Sequence, residues 1–547
     1  MLTTPTEASR RPAIPKTPLE VLRGFPTHDH TLHGILRSRC AVRADQPMLL
    51  EEERTLSWDA FAARADALAA ALHGRGIGTG DRVAIAARNG SGHVLLLFAL
   101  ARLGAVLVPV NPEIGVRELR YALTHADVSA VLTDAALLDT LRLALAGTAR
   151  QPWLAVVHAT PGHDLPDLDA LIASGGGTAL PPPPDADLPC VMIFTSGTTG
   201  FPKGVMHSQR NLLLVGEANM ARMRLQPDDR LLVVLPFFHV NALFYSLGGM
   251  LASGCALVLV ERFSASRFWQ TVADTGTTAV NIIEAMGTIL KSRDRSEYRP
   301  DHRLRVAYGV RQNAQAAFRE DFGVQHLLTG FGMTEIPGVT CNPYGEPAKP
   351  GSMGVLAQHP DPQQPWAECR VVDEEGRDLG PDQVGELWVR TPVAMQGYFR
   401  DPEQTAAAFH DGWLKTGDMV RRDADGWFFY ASRKKDIIRR RGENIAGAEL
   451  DMTVGGHPAV YETAAIAVPS ALGEDEILVA VVLKPNAQLD ATGVADWCRE
   501  RLAPHKVPRY VAFVDTLPHT PTHKVAKALM RQDADLLARA VDLAAGR

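Results

Sequence analysis

Residues 193–204 read IFTSGTTGFPKG and carry more structural information than any other segment of the chain. A short apolar run over residues 191–194 is typical of a strand end, and five hydroxyl or glycine residues follow it directly. Glycine lets backbone N–H groups turn toward an anion, hydroxyl groups add neutral donors, and Lys203 supplies a positive charge. The segment therefore predicts a loop that binds a polyphosphate.

Two other interpretations of this loop are weaker. The common P-loop requires Gly-Lys-Ser/Thr at the start of a helix, whereas here Pro202 precedes the lysine and Gly204 follows it. A flexible surface loop is the usual explanation of a Ser/Thr/Gly-rich stretch. It does not account for the ordered placement after a strand with Lys203 close behind.

The bulk composition limits the function classes. At 547 residues the chain is too long for one core, and about two to four domains are expected. A hydrophobic fraction of 46% with 22% charged residues is ordinary for a globular enzyme. Lys+Arg 56 against Asp+Glu 62 gives a formal net charge of −6, so no overall basic field indicates nucleic acid or anionic lipid as a partner.

Cysteine usage and the termini indicate a cytoplasmic protein. The six cysteines lie far apart without metal-ligand spacing, which is typical of reduced thiols. The N-terminus lacks the apolar core of a secretory signal, so we expect a disordered lead-in over residues 1–18. The most apolar run, residues 94–110, is interrupted by Arg102 and Gly104 and is too short to insert into a membrane.

Helical and strand-like patterns alternate over residues 56–180, which predicts α/β layers with much parallel sheet. A linker rich in glycine and proline, residues 175–187, closes this first unit. From residue 351 short antiparallel strands are expected, and after residue 433 a smaller α+β segment follows. Predicted strands are 82–87, 106–110, 130–132, 230–235, 256–260, 279–283, 368–373, 385–390, 427–430, 464–468 and 479–483; predicted helices are 56–72, 93–103 and 492–501.

Four further segments place polar residues in turn-rich contexts. Each has a structural alternative: a Gly-Asp turn is usually structural, a basic run is usually a solvated face, and a lysine near a terminus usually has no role. The tight turn expected at residues 413–418 presents Asp418. The segments are TGFGMTE at 329–335, WLKTGD at 413–418, SRKKD and RRRGEN at 432–436 and 439–444, and PHTPTHK at 518–524.

In this order, and together with the loop at 193–204, these segments resemble the adenylate-forming superfamily of acyl-CoA synthetases, carrier-loading adenylation domains and luciferases, over about residues 40–530. The resemblance implies an α/β fold: a large N-terminal adenylation domain, residues 19–432, with layered α/β subdomains and a small β-barrel-like one. A small mobile α+β lid, residues 433–547, would follow it. The implied reaction activates a carboxylic acid with ATP and passes the acyl group to a thiol.

The resemblance also implies roles for single residues. The loop and Lys203 would hold the β- and γ-phosphates, Thr334 would donate to the α-phosphate, and Asp418 would accept from the ribose hydroxyls with the help of Arg433. Glu335 would bind Mg²⁺, which prefers carboxylate oxygen. The implied ATP-binding set is Thr195, Ser196, Gly197, Thr198, Thr199, Gly200, Lys203, Gly309, Phe331 (against adenine), Gly332, Met333, Asp418, Phe429 and Arg433.

By the same resemblance the C-terminal segment serves two half-reactions. Lys524 would bridge the substrate carboxylate and the α-phosphate, and Lys435 falls at the hinge position. In a second pose the turn Arg441-Gly442-Glu443 would line a channel for the thiol of CoA. Arg439, Arg440 or Arg441 would then pair with CoA phosphates, unless this is only an exposed basic strand.

The chain departs from the family pattern at three places. His523 replaces the glycine that usually precedes the catalytic lysine, and Ser432 stands where glycine is common. Residues 308–312, YGVRQ, lack the usual Gly-Ala-Pro turn.

The acid substrate is left open by the sequence. Residues 236–241, 263–269 and 506–510 look most like those of crotonobetaine/carnitine–CoA ligases, which would place the catalytic candidate His239 where the acyl pocket meets the thiol channel; a core histidine is equally compatible. A quaternary ammonium substrate would require an aromatic cage or a buried carboxylate such as Glu284. Equally, Ile283, Met286, Gly287 and Val339 would suit an apolar or polycyclic acid.

We expect an acyl-CoA ligase that uses ATP, Mg²⁺ and coenzyme A with a small carboxylic acid. The alternatives are an enzyme that loads a separate acyl carrier protein and, from another class, a nucleotide sensor without catalysis. A sensor need not retain Lys524. The quaternary structure is open between a monomer and a homodimer.

Overall fold

A computed structural model of the chain describes residues 15–52, 54–176, 178–195, 202–440, 443–469, 475–519 and 525–544, with the backbone alone at Lys435, Glu443 and Asn444. Within these ranges no helix is both long enough and apolar enough to cross a membrane. The six cysteines are free, as the sequence predicts.

The first sheet has seven strands and contains both flanks of the glycine-rich loop. Its central strands are parallel, and Lys203–Ser208 folds back antiparallel to Pro189–Thr195. In order across the sheet the strands are Gly397–Tyr398, Lys203–Ser208, Pro189–Thr195, Val106–Pro109, Arg82–Ala86, Ala130–Thr133 and Trp153–Val156. Strands buried on both faces form near-continuous apolar runs, which explains why the sequence located them.

The second sheet also has seven strands, parallel except at one edge. In order they are His326–Leu328, Val306–Tyr308, Ala279–Asn281, Arg230–Val233, Ala256–Leu259, Pro47–Glu51 and the antiparallel Arg54–Ser57. The largest apolar cluster joins the two sheets, with Ile85 and Val191 from the first, Leu231 and Val280 from the second, and Leu97 from a helix packed with them. The expected α/β layers are confirmed.

Helices connect these strands. Those preceding residue 330 are Pro18–Arg23, Leu32–Arg43, Trp58–His73, Ser91–Leu103, Val116–Ala126, Leu138–Leu145, Leu168–Ala173, Gln209–Met223, Gly248–Ser253, Phe268–Asp274, Glu284–Ser292 and Gln312–Ala316, with π-helical turns at Asn241–Leu247 and Ala317–Asp321. Short 3₁₀ turns lie at Ala135–Leu137 and Arg295–Glu297.

Antiparallel sheets follow residue 330. A three-stranded sheet is formed by Gly330–Met333, Ile336–Cys341 and Val355–Leu356. A five-stranded sheet is formed by Glu368–Val372, Val384–Arg390, Trp413–Arg422, Phe409–His410 and Phe428–Arg433, with helix Pro402–Ala408 beside it. The prediction of a tight turn at residues 413–418 is wrong, because Asp418 lies within a ten-residue strand, Trp413–Arg422. Gly417 has φ 69° there, and the register shifts next to it absorb the local bend.

The C-terminal segment buries its own cores. Strands Val460–Pro469, Asp475–Leu483, Tyr510–Phe513 and Val541–Asp542 form one sheet whose two faces pack in separate apolar clusters. A hairpin of Ile437–Arg440 and Glu443–Ala446 precedes it. The helices of this segment are Gly447–Gly455, Ala491–Arg499, Lys527–Gln532 and Ala534–Ala538, with 3₁₀ turns at Lys434–Asp436 and Pro504–Lys506.

Two helices that flank the functional region approach at glycine. A Cβ added at Gly216 would lie 2.3 Å from the carbonyl carbon and oxygen of Gly248. Real Cβ atoms do not come this close to backbone, so helix Gln209–Met223 packs against Gly248–Ser253 only because both positions lack a side chain.

We expect Gly216→Ala to force these helices apart and to lower the stability by roughly 1–3 kcal/mol, the usual cost of overpacking. The midpoint of thermal unfolding measures this effect. Gly78→Ala is the matched control, because no heavy atom lies within 4 Å of a Cβ there. Equal melting temperatures for the two variants would contradict the helix packing described here.

Candidate active site

The glycine-rich loop leaves and re-enters the first sheet at paired residues. Thr195 is opposite Lys203 in the antiparallel pair, so the two ends of the loop lie side by side. Tyr121 Oη donates to the carbonyl oxygen of Pro202 at 3.0 Å and fixes the re-entry point. The predicted phosphate contacts Ser196, Gly197, Thr198, Thr199 and Gly200 lie outside the described residues.

Lys203 and Glu335 meet at one aromatic ring that the sequence did not indicate. The ammonium nitrogen of Lys203 lies 4.2 Å from the ring centroid of Tyr398. The hydroxyl of Tyr398 donates to Glu335 Oε1 at 2.9 Å. Burial raises the pKa of Tyr398, and the neighbouring Glu335 charge raises it further, so the hydroxyl keeps its proton and donates.

Thr334 and Glu335 form the turn of a hairpin, because Met333 is paired with Ile336. The Glu335 backbone oxygen accepts from Met395 N at 2.7 Å, and its side chain is 8% exposed. The turn therefore carries a hydroxyl-bearing residue and an oriented carboxylate at adjacent positions, and the roles expected of them stay predictions.

The side chain of His207, which the sequence did not indicate, contacts the backbone of this turn. His207 Nε2 lies 2.7 Å from the backbone oxygen of Thr334, and Asn211 Nδ2 lies 3.1 Å from His207 Nδ1. A carbonyl only accepts and the amide nitrogen only donates, so the ring is the neutral tautomer with its proton on Nε2. Asn211 also donates to Ala394 O at 2.8 Å. Burial lowers the pKa of His207 to about 4, which keeps it neutral.

The expected adenine side lies at the carboxyl ends of parallel strands, where ligands bind in open α/β sheets. Gly309 follows strand Val306–Tyr308 with φ 95°, and a Cβ there would lie 1.9 Å from Ile282 O. Only glycine fits this position. Phe331 N donates to Thr340 Oγ1 at 3.1 Å, and Phe331 is half-buried beside the exposed Gly332.

Hydrogen bonds join this hairpin to the five-stranded sheet. Thr340 Oγ1 donates to Met353 O at 2.6 Å, and Met353 N donates to Phe428 O at 2.8 Å. Phe429, expected to contact ATP, is half-buried and lies under the guanidinium of Arg421 at 3.8 Å from the ring centroid.

The structure brings together Asp418 and Arg433, the two residues expected at the ribose. Asp418 and Arg433 are cross-strand partners, and Arg433 Nε lies 2.9 Å from Asp418 Oδ1. Arg433 Nη1 also donates to Thr416 O at 3.0 Å. Asp418 is buried, so the ion pair holds a carboxylate in a fixed position.

Acyl-side candidates lie at the ends of the second sheet. The His239 ring contacts Phe238 at 4.5 Å between centroids. Ile283 and Glu284 are exposed at the start of helix Glu284–Ser292, Met286 is half-buried, and Gly287 is buried. The prediction that Glu284 is a buried carboxylate for a quaternary ammonium is therefore wrong, because Glu284 is solvent-exposed.

The C-terminal candidates lie mostly beyond what the structure describes. Lys524, Arg441 and Gly442 are outside the described residues, as are the side chains of Lys435 and Glu443. The expectation of a CoA contact at Arg440 is corrected: it is buried, pairs with Glu476 at 2.7 Å, and donates to the backbone oxygens of His505 and Val507. Arg439 is exposed and pairs with Glu374.

No group of three or more His, Cys, Asp or Glu side chains within the described ranges is arranged to hold a metal ion. A metal ion at Glu335 would require further oxygen ligands in addition to this carboxylate.

Two protein-family models match the chain. The model of the AMP-binding enzyme family matches residues 36–399, and that of the AMP-binding enzyme C-terminal domain matches residues 449–524.

Three curated relatives are similar over most of their length. Sulfoacetate–CoA ligase of Cupriavidus necator is 34% identical and covers 91% of this chain and 96% of its own. Fatty acid–[acyl-carrier-protein] ligase ScoC of Streptomyces coeruleorubidus is 29% identical, with 89% and 93% covered. Crotonobetaine/carnitine–CoA ligase of Salmonella paratyphi A is 28% identical, with 83% and 89% covered.

Solved structures share the fold. ATP-bound MatB from Rhodopseudomonas palustris is 26% identical with a TM-score of 0.80, and 91% of this chain and 98% of that chain are covered. The anthranilate–CoA ligase AuaEII in complex with anthranoyl-AMP has a TM-score of 0.83 at 24% identity, with 94% and 99% covered.

The pKa of His207 predicts a pH effect on stability. In the unfolded chain the imidazole titrates near 6.5, whereas burial holds it at about 4 in the fold. Between these values the unfolded chain binds the proton and the folded chain does not, so stability is full above pH 6.5 and falls as the pH falls toward 4. At pH 5 the loss is roughly 2 kcal/mol.

We expect His207→Asn to melt below the wild type at pH 7.5, with the gap narrowing at pH 5 because the variant lacks this titration. Thermal melts at both pH values measure it. His73→Asn, at an exposed histidine, is the control and should parallel the wild type. A constant gap between His207→Asn and the wild type would show that His207 does not titrate in this way.

Proposed function

This chain belongs to the family of AMP-binding enzymes and is an AMP-forming acid–thiol ligase, and from that premise we propose that it converts a small carboxylic acid to an acyl-adenylate with ATP, releases pyrophosphate, and transfers the acyl group to the thiol of CoA. The observation that carries this proposal is the arrangement of Lys203, Tyr398 and Glu335 beside Thr334. A nucleoside triphosphate requires a cation, a carboxylate for its metal ion and a hydroxyl donor, and the presence of all three in this arrangement supports the proposal.

In the first half-reaction negative charge accumulates on the oxygens of the α-phosphate while the acid attacks. We assign Thr334 as the donor to these oxygens and Lys524 as the cation that bridges them to the substrate carboxylate. Lys203 neutralises the β- and γ-phosphates together with the loop. The remaining ATP contacts are proposed at Thr195, Ser196, Gly197, Thr198, Thr199, Gly200, Gly309, Phe331, Gly332, Met333 and Phe429.

In this proposal Asp418 accepts hydrogen bonds from the ribose hydroxyls, and Arg433 holds the Asp418 carboxylate in place. The ion pair at 2.9 Å, in which the carboxylate of Asp418 is buried, supports this assignment, because a fixed carboxylate recognises a diol without having to be ordered on binding. His239 stays a candidate at the junction of the acyl pocket and the thiol channel.

Glu335 suits Mg²⁺ because it offers carboxylate oxygen, the donor that hard cations prefer, and Tyr398 occupies only its Oε1. When bound, the ion would neutralise phosphate charge. Tyr398 orients the carboxylate, and the hairpin turn fixes its backbone.

For the second half-reaction we propose that residues 433–547 act as a lid that rotates at Lys435 against an adenylation domain of residues 19–432. The separate apolar cores of the four-stranded sheet support a unit that moves as a whole. Rotation would withdraw Lys524 and bring the turn Arg441-Gly442-Glu443 to line the path of the thiol.

A second candidate function is the loading of a separate acyl carrier protein. The relative from Streptomyces coeruleorubidus is named for that acceptor, which supports testing both. The two candidates share the first half-reaction and differ only in the source of the thiol.

The proposed function is tested by pyrophosphate release over a panel of carboxylic acids, with and without CoA and with and without EDTA. We expect at least one acid to release pyrophosphate, thioester to form only with CoA, and EDTA to abolish both. The panel includes sulfoacetate, indoleacetate and crotonobetaine, after relatives named for these acids. ATP consumption with none of the acids would refute the proposal, and thioester on a carrier protein but not on CoA would favour the second candidate.

We expect Lys524→Ala to slow acid-dependent exchange of pyrophosphate into ATP by at least about 100-fold, because the bridging cation is lost. Thioester formation from a supplied acyl-adenylate should be largely retained, since that step uses the other pose. Radiolabel exchange and a thiol assay measure the two steps. Lys484→Ala, an exposed lysine of the same segment, is the control. Equal loss of both half-reactions would refute the two-pose lid.

A further inference from the structure

A buried arginine without an anionic partner lies behind the cleft. Arg222 is near the end of helix Gln209–Met223 and is 8% exposed. Its Nη2 donates to the backbone oxygen of Gly338, whereas Nε and Nη1 are buried without an acceptor. No carboxylate of the described chain lies within 4 Å of its nitrogens.

The two other buried arginines of the described chain are satisfied in other ways. Arg440 pairs with Glu476. Arg39 donates through Nε, Nη1 and Nη2 to the backbone oxygens of Leu251 and Ala252 and to the hydroxyl of Ser38. A buried guanidinium with two idle donors and no counter-charge is unfavourable, so its retention calls for a compensating interaction.

Arg222 is separated from the cleft by glycine. A Cβ at Gly338 would lie 2.5 Å from Arg222 Nη1, so the guanidinium lies against that residue's backbone. A Cβ at Gly332 would lie 2.5 Å from Gly338 N. Gly332 is exposed and stands two positions before Thr334. One layer of backbone therefore divides the arginine from the expected site of the reacting acid.

Tyr245 is a second buried polar residue beside Gly332, and it lies within the field of Arg222. Its hydroxyl lies 2.7 Å from the position of a Cβ at Gly332, and Tyr245 is only 6% exposed, so the hydroxyl packs directly against the backbone of Gly332. The Tyr245 ring contacts Tyr308 edge to face at 5.7 Å between centroids. Burial raises the pKa of Tyr245 and the charge of Arg222 opposes that rise, so the hydroxyl stays protonated within the field of the guanidinium.

We propose that Arg222 and Tyr245 select the acid: the substrate is a short carboxylic acid whose far end carries a second oxyanion, such as a sulfonate or carboxylate. The hydroxyl of Tyr245 donates to this oxyanion, and Arg222 supplies the compensating charge through a region of low dielectric. The inference rests on the proposed function, because it concerns the tail of the acid that is adenylated.

Glycine at positions 332 and 338 fits the same role. Any side chain at Gly332 would reach the Tyr245 hydroxyl, and any side chain at Gly338 would displace the guanidinium. The two glycines therefore allow both groups to pack against this backbone.

The test compares kcat/KM for acids that differ only in tail charge: sulfoacetate with methylsulfonylacetate, malonate with malonamate, and succinate with succinamate. For the wild type we expect the anionic tail to be preferred by about 100-fold in at least one pair, since a site built for an oxyanion rejects the neutral analogue. Preference for the neutral tail in every pair would overturn the inference whatever the variants do.

Arg222→Met should reduce that preference to near unity, and Tyr245→Phe should reduce it by about 10-fold, mainly through KM of the acid. Arg39→Met removes a buried guanidinium whose donors are satisfied by Ser38, Leu251 and Ala252; it should lower the melting temperature without changing the preference. An unchanged preference in Arg222→Met would show that the arginine only holds Gly338. If Arg222→Met does not fold, Tyr245→Phe and the wild-type preference decide the question.

Different results would refute the proposed function and the inference about the tail of the acid. If the wild type releases pyrophosphate with no acid, the proposed function fails and the inference fails with it. If neutral acids react and anionic tails do not, the ligase function stands and only the inference is overturned.

Discussion

The side chain of Tyr398 contacts two oppositely charged groups at once. The ammonium group of Lys203 lies over the face of its ring, and its hydroxyl donates to Glu335. One tyrosine therefore fixes the positions of the lysine and the carboxylate relative to each other. Because Tyr398 belongs to an edge strand of the first sheet, this contact also ties that sheet and the flank of its loop to the hairpin that bears Thr334.

A second side chain that anchors two segments lies beside Asp418. Glu386 Oε1 accepts from Gly417 N at 3.1 Å, next to Asp418, and its Oε2 accepts from Lys434 at 2.9 Å. One carboxylate therefore fixes the backbone beside Asp418 and also binds the residue that precedes Lys435. The position of the strand bearing Asp418 and the start of the C-terminal segment depend on each other through it.

The sequence predicts the parts of the fold that depend on local pattern. The apolar run at 191–194 is found within strand Pro189–Thr195, and the strand predicted at 82–87 is observed at Arg82–Ala86, because strands buried on both faces are continuous apolar runs. The Gly-Asp signal at 417–418 failed because pairing with strands on both sides overrides a local turn preference. His207, Tyr398 and Arg222 were missed because their partners lie 127, 63 and 116 residues away, and no local pattern encodes such a contact.

The strength of the contacts at the junction bears on whether the C-terminal segment can rotate. Arg439 and Glu374, which link it to the five-stranded sheet, are 63% and 65% exposed, and such pairs contribute little to stability in water. Lys434 precedes Lys435, and its partner Glu386 is only 9% exposed, so this pair stays with the five-stranded sheet when the following residues move. The apolar cores of the segment are formed by its own strands and helices. Rotation at Lys435, as proposed, would therefore break the solvated Arg439–Glu374 pair at little cost and leave both cores intact.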